Sequence, residues 1–421
     1  MQKTLGVKFP KEFLWGAATS AHQVEGSHYN QWTVWELDHA KTNVARAEYQ
    51  YNDLDAWPDI QEEAKRPENF VSGEASGHYD NYELDFELLK KLQLDAFRFS
   101  VEWSRIEPTE GAWDVEAIEH YRQYIAALKA RDIEPMMTLL HFTLPVWFTE
   151  KGGFEKRANV KYFLRYVDKV IAELGKDITY VITINEPEVY AVESYFRGTW
   201  PPQRQSKWLC WRVIKNLLYA HKKAAKHIHG AHSRYKVSIA KNSAYFYPGD
   251  DAWLTRLSTH VMQYFSDDYM LKRAYKHCDF IGVNYYFSNR VYGYRVHNPD
   301  EKLSDLGWDM QPENLEYVLE RLWKKYKLPL IVTENGLADR NDSYRKWWLG
   351  KTMIALTNAL NQGVDIRGYF HWSLIDNFEW AHGKWPRFGL IEIDYTTGKR
   401  KVRQSAVWWA KVVKRFRDHQ E

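Results

Sequence analysis

Two glutamates stand directly after apolar runs of the chain, at positions where a side chain could do chemistry. Glu186 follows YVITIN and Glu334 follows LIVT. A carboxylate at such a position is either the partner in a structural ion pair or a catalytic acid, base or nucleophile. Paired carboxylates are the minimum for glycoside hydrolysis, in which one protonates the leaving oxygen and the other attacks C1 or activates water. A fold that brings the two together would favour this reaction.

An arginine and a set of polar and aromatic side chains accompany the glutamates at the ends of other apolar runs. Arg98, in FRFS, would point a charge into the protein and needs a partner there. Beside a carboxylate it would keep a nucleophile ionised, and the alternative is a purely structural ion pair. Amides and imidazoles could bind sugar hydroxyls and indoles could stack on a sugar ring, although each residue alone is more typical of a satisfied core polar group. The candidates are Gln23, His141, Asn185, Asn284, Tyr286, Trp372, Glu379 and Trp380.

Eight short runs of apolar, β-branched or aromatic residues must position these side chains, and each run has the length of a buried strand. The runs occupy residues 13–20, 96–103, 134–141, 177–186, 236–242, 279–286, 329–336 and 366–374. Helical patterns separate them, and two helix ends are predicted: Asp114 as an N-cap and Gly175 as a C′ residue. The alternation predicts an α/β protein whose parallel sheet closes into a (β/α)8 TIM barrel.

Two connections are longer than the others, at residues 25–76 and 288–312. Both follow the carboxyl ends of predicted strands, where the loops of a TIM barrel build the active site. The chain contains no linker and no low-complexity tract. We therefore expect residues 1–421 to form a single catalytic barrel domain with loop insertions on its C-terminal face.

The composition argues against several classes of protein. The 58 Lys and Arg against 55 Asp and Glu give a net charge of +3, which predicts no nucleic-acid partner. No apolar run is long enough to span a bilayer, and MQKTLGVKFPKEF lacks the apolar segment of a signal peptide, so no membrane partner and a cytoplasmic location are expected. The two cysteines demand no oxidising compartment. Aromatic residues make up 16% of the chain, which fits either a large aromatic core or a sugar-binding cleft.

No cofactor and no metal are expected. The chain has no phosphate-binding glycine motif and no HExxH motif. Three histidines lie close together in KHIHGAH, at His227, His229 and His232. No carboxylate or cysteine pattern completes a metal site there, and a solvated basic helix end is the simpler interpretation.

Longer segments of the chain resemble the family 1 glycoside hydrolases, the β-glucosidase and β-galactosidase family. The matching segments run from near the N-terminus to about residue 395. Their residues are most similar to those of archaeal-type members. They are FPKEFLWGAATSAHQVEG, FRFSVEWSRIEP, LLHFTLPVWF, TINEPEVY, GVNYY, IVTENG and HWSLIDNFEWAHGKWPRFGLIEIDY. TINEP and TENG together with the last block form a highly specific combination.

The resemblance implies a role for each candidate residue. Glu186 of TINEP would be the acid/base, and Glu334 of TENG would be the nucleophile. Arg98 and Tyr286 would hold Glu334, and Asn185 would contact the sugar 2-hydroxyl.

The same resemblance implies the remaining sugar contacts. Gln23, His141, Glu379 and Trp380 would bind the other hydroxyls, with Glu379 on O4 and O6. Trp372 would form the floor under the ring, with Asn284 close to it, and the peptide between Trp372 and Ser373 would be cis.

Two departures from the family pattern affect the shape of the site. Phe142 follows His141 where tryptophan is frequent, which alters the expected subsite. The region around residues 247–269 lacks a fuller loop, so the side of the cleft that binds the aglycone is expected to be more open.

The function expected is a retaining exo-β-glycosidase that hydrolyses terminal non-reducing β-D-glycosyl residues, a β-glucosidase with β-galactosidase and β-fucosidase activity as further options. One alternative is a non-catalytic sugar-binding barrel, which would be expected to have lost one carboxylate. A second is a transglycosylase that uses the same intermediate. The substrates would be small β-glycosides or oligosaccharides. The preferred sugar, the aglycone, the oligomeric state and the temperature optimum do not follow from the sequence.

Overall fold

Eight parallel strands form a closed barrel in the computed structural model, which describes residues 8–299 and 301–418. The strands are β1 Leu14–Ala18, β2 Ala96–Ser100, β3 Glu134–Thr138, β4 Tyr180–Asn185, β5 Lys236–Asn242, β6 Ile281–Tyr285, β7 Leu330–Asn335 and β8 Ile366–Trp372. Each strand pairs with its neighbours in chain order, and β1 pairs with β8 to close the barrel. The predicted (β/α)8 fold is confirmed. The start of MQKTLGVKFPKEF, residues 1–7, lies outside the described residues.

Each predicted run contains one strand, and most strands end before the run does. The run 177–186, for example, yields only Tyr180–Asn185, because Gly175–Asp177 forms a 3-10 turn and Glu186 leaves the sheet. The polar residues at the ends of the runs therefore lie just beyond the sheet, at the mouth of the barrel.

Eight helices cover the outside of the barrel, one after each strand. They are α1 His78–Lys91, α2 Val115–Lys129, α3 Val160–Leu174, α4 Lys207–Ala231, α5 Trp253–Gln263, α6 Leu315–Tyr326, α7 Arg345–Asn361 and α8 Gln404–Arg417. Apolar side chains fill the layer between strands and helices, and a second apolar cluster that includes Met136, Ile182 and Ile331 fills the barrel interior.

One of the two predicted helix ends is confirmed and one is wrong. Asp114 caps α2, because its Oδ1 accepts a hydrogen bond from the Ala117 amide at 2.9 Å. Gly175 ends α3 but has a right-handed φ of −73°, so it is not a left-handed C′ residue. The lack of a side chain at Gly175 allows close packing instead, because a Cβ there would lie 2.3 Å from the Tyr235 hydroxyl.

Both long connections carry structure of their own on the carboxyl side of the strands. The first contains helices Gln31–Tyr51 and Trp57–Ala64. The second contains strand Ser288–Tyr292, which pairs with Tyr245–Pro248 and with Arg295–Val296. In the part of the chain that the structure describes, no helix is long and apolar enough to cross a membrane.

Candidate active site

Glu334, near the end of β7, is held by two donors from other parts of the barrel. The Arg98 guanidinium, fully buried on β2, donates to Glu334 Oε1 at 2.5 Å. The Tyr286 hydroxyl, just after β6, donates to Glu334 Oε2 at 2.7 Å. An ionised carboxylate is an acceptor only, so one donor on each oxygen suits its charged form and fixes its orientation. The structure brings together the three residues that the sequence predicted here.

Glu186 lies in a different environment, directly after β4. Its backbone is left-handed at φ 37°, ψ 59°, a conformation that non-glycine residues rarely adopt. The side chain is buried, and its Oε1 accepts a hydrogen bond from the Asn284 amide at 2.8 Å. Burial, together with the negative charges of Glu334 and Glu188, raises the pKa of the Glu186 carboxyl well above its ordinary value.

Two asparagines connect these carboxylates through hydrogen bonds. Asn185 Oδ1 accepts from Arg98 Nη2 at 2.7 Å and from Asn284 Nδ2 at 3.2 Å. Since Asn284 also binds Glu186 and Arg98 also binds Glu334, one continuous network runs from one carboxylate to the other. Asn185 Nδ2 lies 3.2 Å from His141 Nε2, and burial beside Arg98 holds the pKa of His141 well below its ordinary value. His141 is therefore a neutral ring in this site.

Glu379 lies with Gln23 and Asn377 in a second polar group. Asn377 Nδ2 donates to Glu379 Oε2 at 2.7 Å, and Gln23 Nε2 approaches the same oxygen at 3.3 Å. Gln23 is oriented by Ser20, which donates to its Oε1 at 2.6 Å, and by the Phe378 carbonyl, which accepts from its Nε2 at 2.8 Å. Burial raises the pKa of Glu379 to about 8.

Aromatic rings line the same region. The His141 ring stacks with two indoles, with its centroid 5.8 Å from Trp372 at 21° and 6.1 Å from Trp380 at 17°. The peptide between Trp372 and Ser373 is cis, as the resemblance implied. Phe142, the departure from the family pattern, packs 5.0 Å from Trp200 and 5.1 Å from Trp380. It therefore packs edge-to-face against the Trp380 ring.

Three charged groups next to Glu186 were missed by the sequence analysis: the buried Lys241 and Asp267 and the partly buried Glu188. Lys241 on β5 is fully buried, and its Nζ donates to Glu188 Oε1 at 2.7 Å and lies 3.5 Å from Asp267 Oδ1. Glu188 also accepts from the Asn242 amide at 3.0 Å, which ties the short helix Pro187–Ala191 to β5. The lysine within the apolar run KVSIAKN was the available indication, because a charge in a buried strand needs a partner.

Asn377 was also missed, because nothing in its sequence context distinguishes it from other polar residues of the last block. Two histidines of KHIHGAH, His227 and His229, lie on the last turns of α4, and His232 follows the helix directly. His227 Nδ1 is 2.9 Å from Asp168, and His229 Nε2 is 2.8 Å from Asp279. Among residues 8–299 and 301–418, no cluster of histidine, cysteine and carboxylate side chains could hold a metal ion.

The chain matches the model of glycosyl hydrolase family 1 over residues 6–277 and 262–417. It is 30% identical to β-glucosidase A of Thermotoga maritima, over 97% of this chain and 98% of that protein. A solved β-glycosidase from Pyrococcus horikoshii is 34% identical with a TM-score of 0.85, over 97% of this chain and 95% of that one. The solved Thermotoga maritima β-glucosidase in complex with glucoimidazole is 28% identical, with a TM-score of 0.85 over 97% of this chain and 99% of that one. With both its barrel and its sequence matched over nearly the whole length, this chain belongs to glycosyl hydrolase family 1.

Proposed function

We propose that this protein is a retaining exo-β-glycosidase of the β-glucosidase type, with Glu334 as the nucleophile and Glu186 as the acid/base. Its substrates would be small β-glycosides or oligosaccharides with a terminal non-reducing β-D-glycosyl residue. The Thermotoga maritima and Pyrococcus horikoshii relatives, named as a β-glucosidase and a β-glycosidase, support this class of substrate. We further propose that residues 1–421 form one catalytic domain that works in the cytoplasm, which the free cysteines Cys210 and Cys278 support.

The observation that carries the proposal is the contrast between the two carboxylates. Glu334 has a donor on each oxygen, one of them a guanidinium. Within the described part of the chain, Glu186 accepts only the amide hydrogen bond of Asn284, and burial and Glu334 raise its pKa. Two carboxylates whose environments push their protonation apart can act as acid and nucleophile in one reaction.

The first step uses both groups at once. Glu334 attacks C1, and the bond from C1 to the glycosidic oxygen breaks while Glu186 transfers its proton to that oxygen. The aglycone leaves as an alcohol, and a covalent glycosyl-enzyme remains. A raised pKa suits Glu186 to this task, because the group is still protonated near neutral pH.

The second step reverses these roles. Glu186, now ionised, takes a proton from water, and the resulting hydroxide attacks C1 as the bond to Glu334 breaks. The product sugar keeps the β-configuration, and both carboxyl groups return to their starting states. Gln23, His141, Asn185 and Glu379 would bind the sugar hydroxyls, and Trp372 would form the floor under the ring.

The presence of both carboxylates argues against a non-catalytic sugar-binding barrel. The transglycosylase alternative shares the glycosyl-enzyme and differs only in whether an alcohol replaces water. Product analysis at high sugar concentration distinguishes it from a hydrolase.

Separate alanine substitutions test the two roles. Glu186→Ala should form the intermediate from a dinitrophenyl β-glucoside, whose leaving group needs little protonation, and then hydrolyse it slowly. We expect a burst of phenol followed by a slow steady state, and a loss of about 10²–10⁴-fold on an alkyl glucoside. Azide, which needs no base, should restore turnover and yield the β-glucosyl azide.

Glu334→Ala should show no burst with any leaving group, and azide rescue there should yield the α-azide, because azide then replaces the nucleophile. Glu320→Ala, which removes a half-buried glutamate of α6 that pairs with exposed Lys324, is the matched control and should leave turnover unchanged. If the two active-site variants exchange behaviours, the roles are reversed. Full activity in both would place the catalytic site elsewhere.

A further inference from the structure

Helix α5 packs polar side chains against the protein and exposes apolar ones. Its buried residues are Thr255 and Thr259, both polar. Its apolar side chains face outward: Trp253 is 75% exposed and Leu257 is 53% exposed. Val261 and Phe265 continue the same line at intervals of four residues, and Phe265 is 64% exposed. A helix on the outside of a barrel normally packs such an apolar stripe against the core. The exposed stripe of α5 therefore indicates a binding surface.

The exposed apolar surface continues onto the first turns of α4. Trp208 is 60% exposed and Trp211 is 49% exposed. The Trp211 indole donates to the Tyr269 hydroxyl at 3.0 Å, and the Tyr269 ring stacks on Phe265 with centroids 6.3 Å apart. The two helices therefore present one continuous surface, which we call the α4–α5 face. Its apolar members are Trp208, Trp211, Trp253, Leu257, Val261 and Phe265.

Cations surround this apolar surface. Arg212 stands 5.0 Å over the Trp208 ring and Lys215 stands 4.1 Å over the Trp211 ring. Lys272 stands 5.0 Å over the ring of Tyr264, and Lys207 lies at the start of α4. Across the described residues, none of these four cations forms an ion pair with a carboxylate.

The acidic residues of the region do not neutralise these cations. Helix α4 contains no aspartate or glutamate along its whole length. Asp267 and Asp268, which follow α5, point toward the protein, where they pair with Arg321. The chain as a whole carries only +3. The positive charge is therefore concentrated beside Trp208 and Trp211, whereas the exposed Asp251 near Trp253 pairs with Arg256.

We propose that the α4–α5 face binds the surface of an anionic lipid bilayer. Tryptophan and phenylalanine with flanking lysine and arginine suit the boundary between headgroups and acyl chains, where the rings enter the bilayer and the cations meet lipid phosphates. The protein lies on the membrane and does not span it, in keeping with the lack of a spanning helix among the described residues. This revises the expectation, drawn from the sequence, of no membrane partner.

Charge and shape favour this occupant over two others. A second copy of the chain in a two-fold contact would present the same face, and its α4 would offer Lys207, Arg212 and Lys215 no carboxylate to pair with, so burying these charges would be unfavourable. A nucleic acid would match the cations, but it would leave the aliphatic stripe of Leu257 and Val261 exposed to water.

Vesicle flotation tests the proposal on the full-length protein. At low salt it should float with phosphatidylglycerol vesicles and remain unbound with phosphatidylcholine vesicles, and added salt should release it. Charge reversal in the triple variant Lys207→Glu, Arg212→Glu, Lys215→Glu should weaken binding by roughly 100-fold or more. The triple variant Trp253→Ser, Leu257→Ser, Phe265→Ser should weaken it by roughly 100-fold through lost apolar contact.

A matched control comes from α8, whose exposed Lys411, Lys414 and Arg415 have few exposed apolar neighbours. Reversing these three charges should leave vesicle binding nearly unchanged. Hydrolysis of a small aryl glucoside, measured without vesicles, should be equal in all variants and shows that each is folded.

Four results would overturn the proposal. One is no flotation with phosphatidylglycerol vesicles, and another is equal loss of binding in the α4 and α8 charge variants. The third is a dimer in analytical ultracentrifugation that the Trp253→Ser, Leu257→Ser, Phe265→Ser variant converts to monomer, since a second copy would then cover the face. Tight binding of an oligonucleotide that survives this apolar variant would assign the cations to nucleic acid instead.

Discussion

At the scale of single residues, the two glutamates that we propose as catalytic differ in what surrounds them rather than in their chemistry. Glu334 lies between Arg98 and Tyr286. Glu186 has an amide from Asn284 and two negative neighbours, Glu334 and Glu188. The charge of one glutamate therefore helps to keep the proton on the other, and this link can be measured.

Removing the Glu334 charge should lower the pKa of Glu186. In Glu334→Gln the side chain keeps its size but loses the negative charge that favours protonated Glu186. Carbon-13 NMR titration of labelled glutamates should show the Glu186 pKa falling toward its ordinary value. Since Glu186 must be protonated for the first step, activity of the wild type should fall as pH rises through the raised pKa.

Glu320→Gln is the control for this titration, because half-buried Glu320 lies on α6 and pairs with Lys324 rather than with a residue of the site. It should leave the Glu186 resonance and its titration unchanged. If Glu186 titrates identically in the wild type and in Glu334→Gln, the two carboxylates are not coupled.

Residues that act through a partner were the hardest to predict. Arg98 could be predicted because a charge inside a barrel needs a carboxylate partner, and Glu334 stands at the end of another predicted strand. Asn377 could not, because its role depends on the loop after β8 bringing its amide 2.7 Å from Glu379. Lys241 was visible as a charge in a strand, but its partners Glu188 and Asp267 come from different elements. Contacts between side chains of different elements cannot be predicted from their order in the sequence.

At the scale of elements, the sequence predicted all eight strands. For the two long connections it predicted the position along the chain but not the helices and strands within them. The eight strands could be predicted because a strand covered on both faces is nearly continuous in hydrophobicity. The internal structure of residues 25–76 could not, although its main helix Gln31–Tyr51 supports the site. Gln31 Nε2 donates to the Phe142 carbonyl at 2.9 Å, and the Trp32 ring lies 4.8 Å from Trp380.

The cap of this inserted helix should affect substrate binding as well as stability. Asn30 Oδ1 accepts from the amides of Trp32 at 2.9 Å and Thr33 at 3.1 Å, and its Nδ2 lies 3.1 Å from His22 Nδ1. His22 in turn stacks on Trp380 at 5.6 Å. Asn30→Ala should lower the free energy of unfolding by about 1–2 kcal/mol. It should also raise the KM for an aryl glucoside several-fold.

Asp114→Ala is the matched control, since it removes the cap of α2 without touching the aromatic group around Trp380. It should cost about 1 kcal/mol of stability and leave KM unchanged. Denaturant unfolding and steady-state kinetics of both variants decide the point. An unchanged KM in Asn30→Ala would show that the inserted helix does not position the site.

At the scale of the whole molecule, the two ends of the described chain meet on the first strand. Trp15 of β1 lies 6.0 Å from the ring of Trp409 in α8, and Phe9 lies 5.1 Å from Phe416. β1 also pairs with β8 along its full length. Because closure joins the first and last strands, the barrel has no edge at which part of the sheet could separate.

This closure predicts that the chain unfolds as one unit. Trp409 is fully buried and also lies 5.6 Å from the Tyr369 ring, whereas its neighbour Trp408 is only partly buried. Trp409→Ala should cost about 3–5 kcal/mol through the cavity it leaves, and Trp408→Ala should cost much less. In Trp409→Ala, the denaturant midpoint for loss of helix, measured by circular dichroism, should fall. The midpoint for loss of glucoside hydrolysis should fall with it, although the proposed site residues come from β2, β4 and β7. If circular dichroism shifts while hydrolysis keeps its wild-type midpoint, α8 is a separately folding element and the single-domain prediction is wrong.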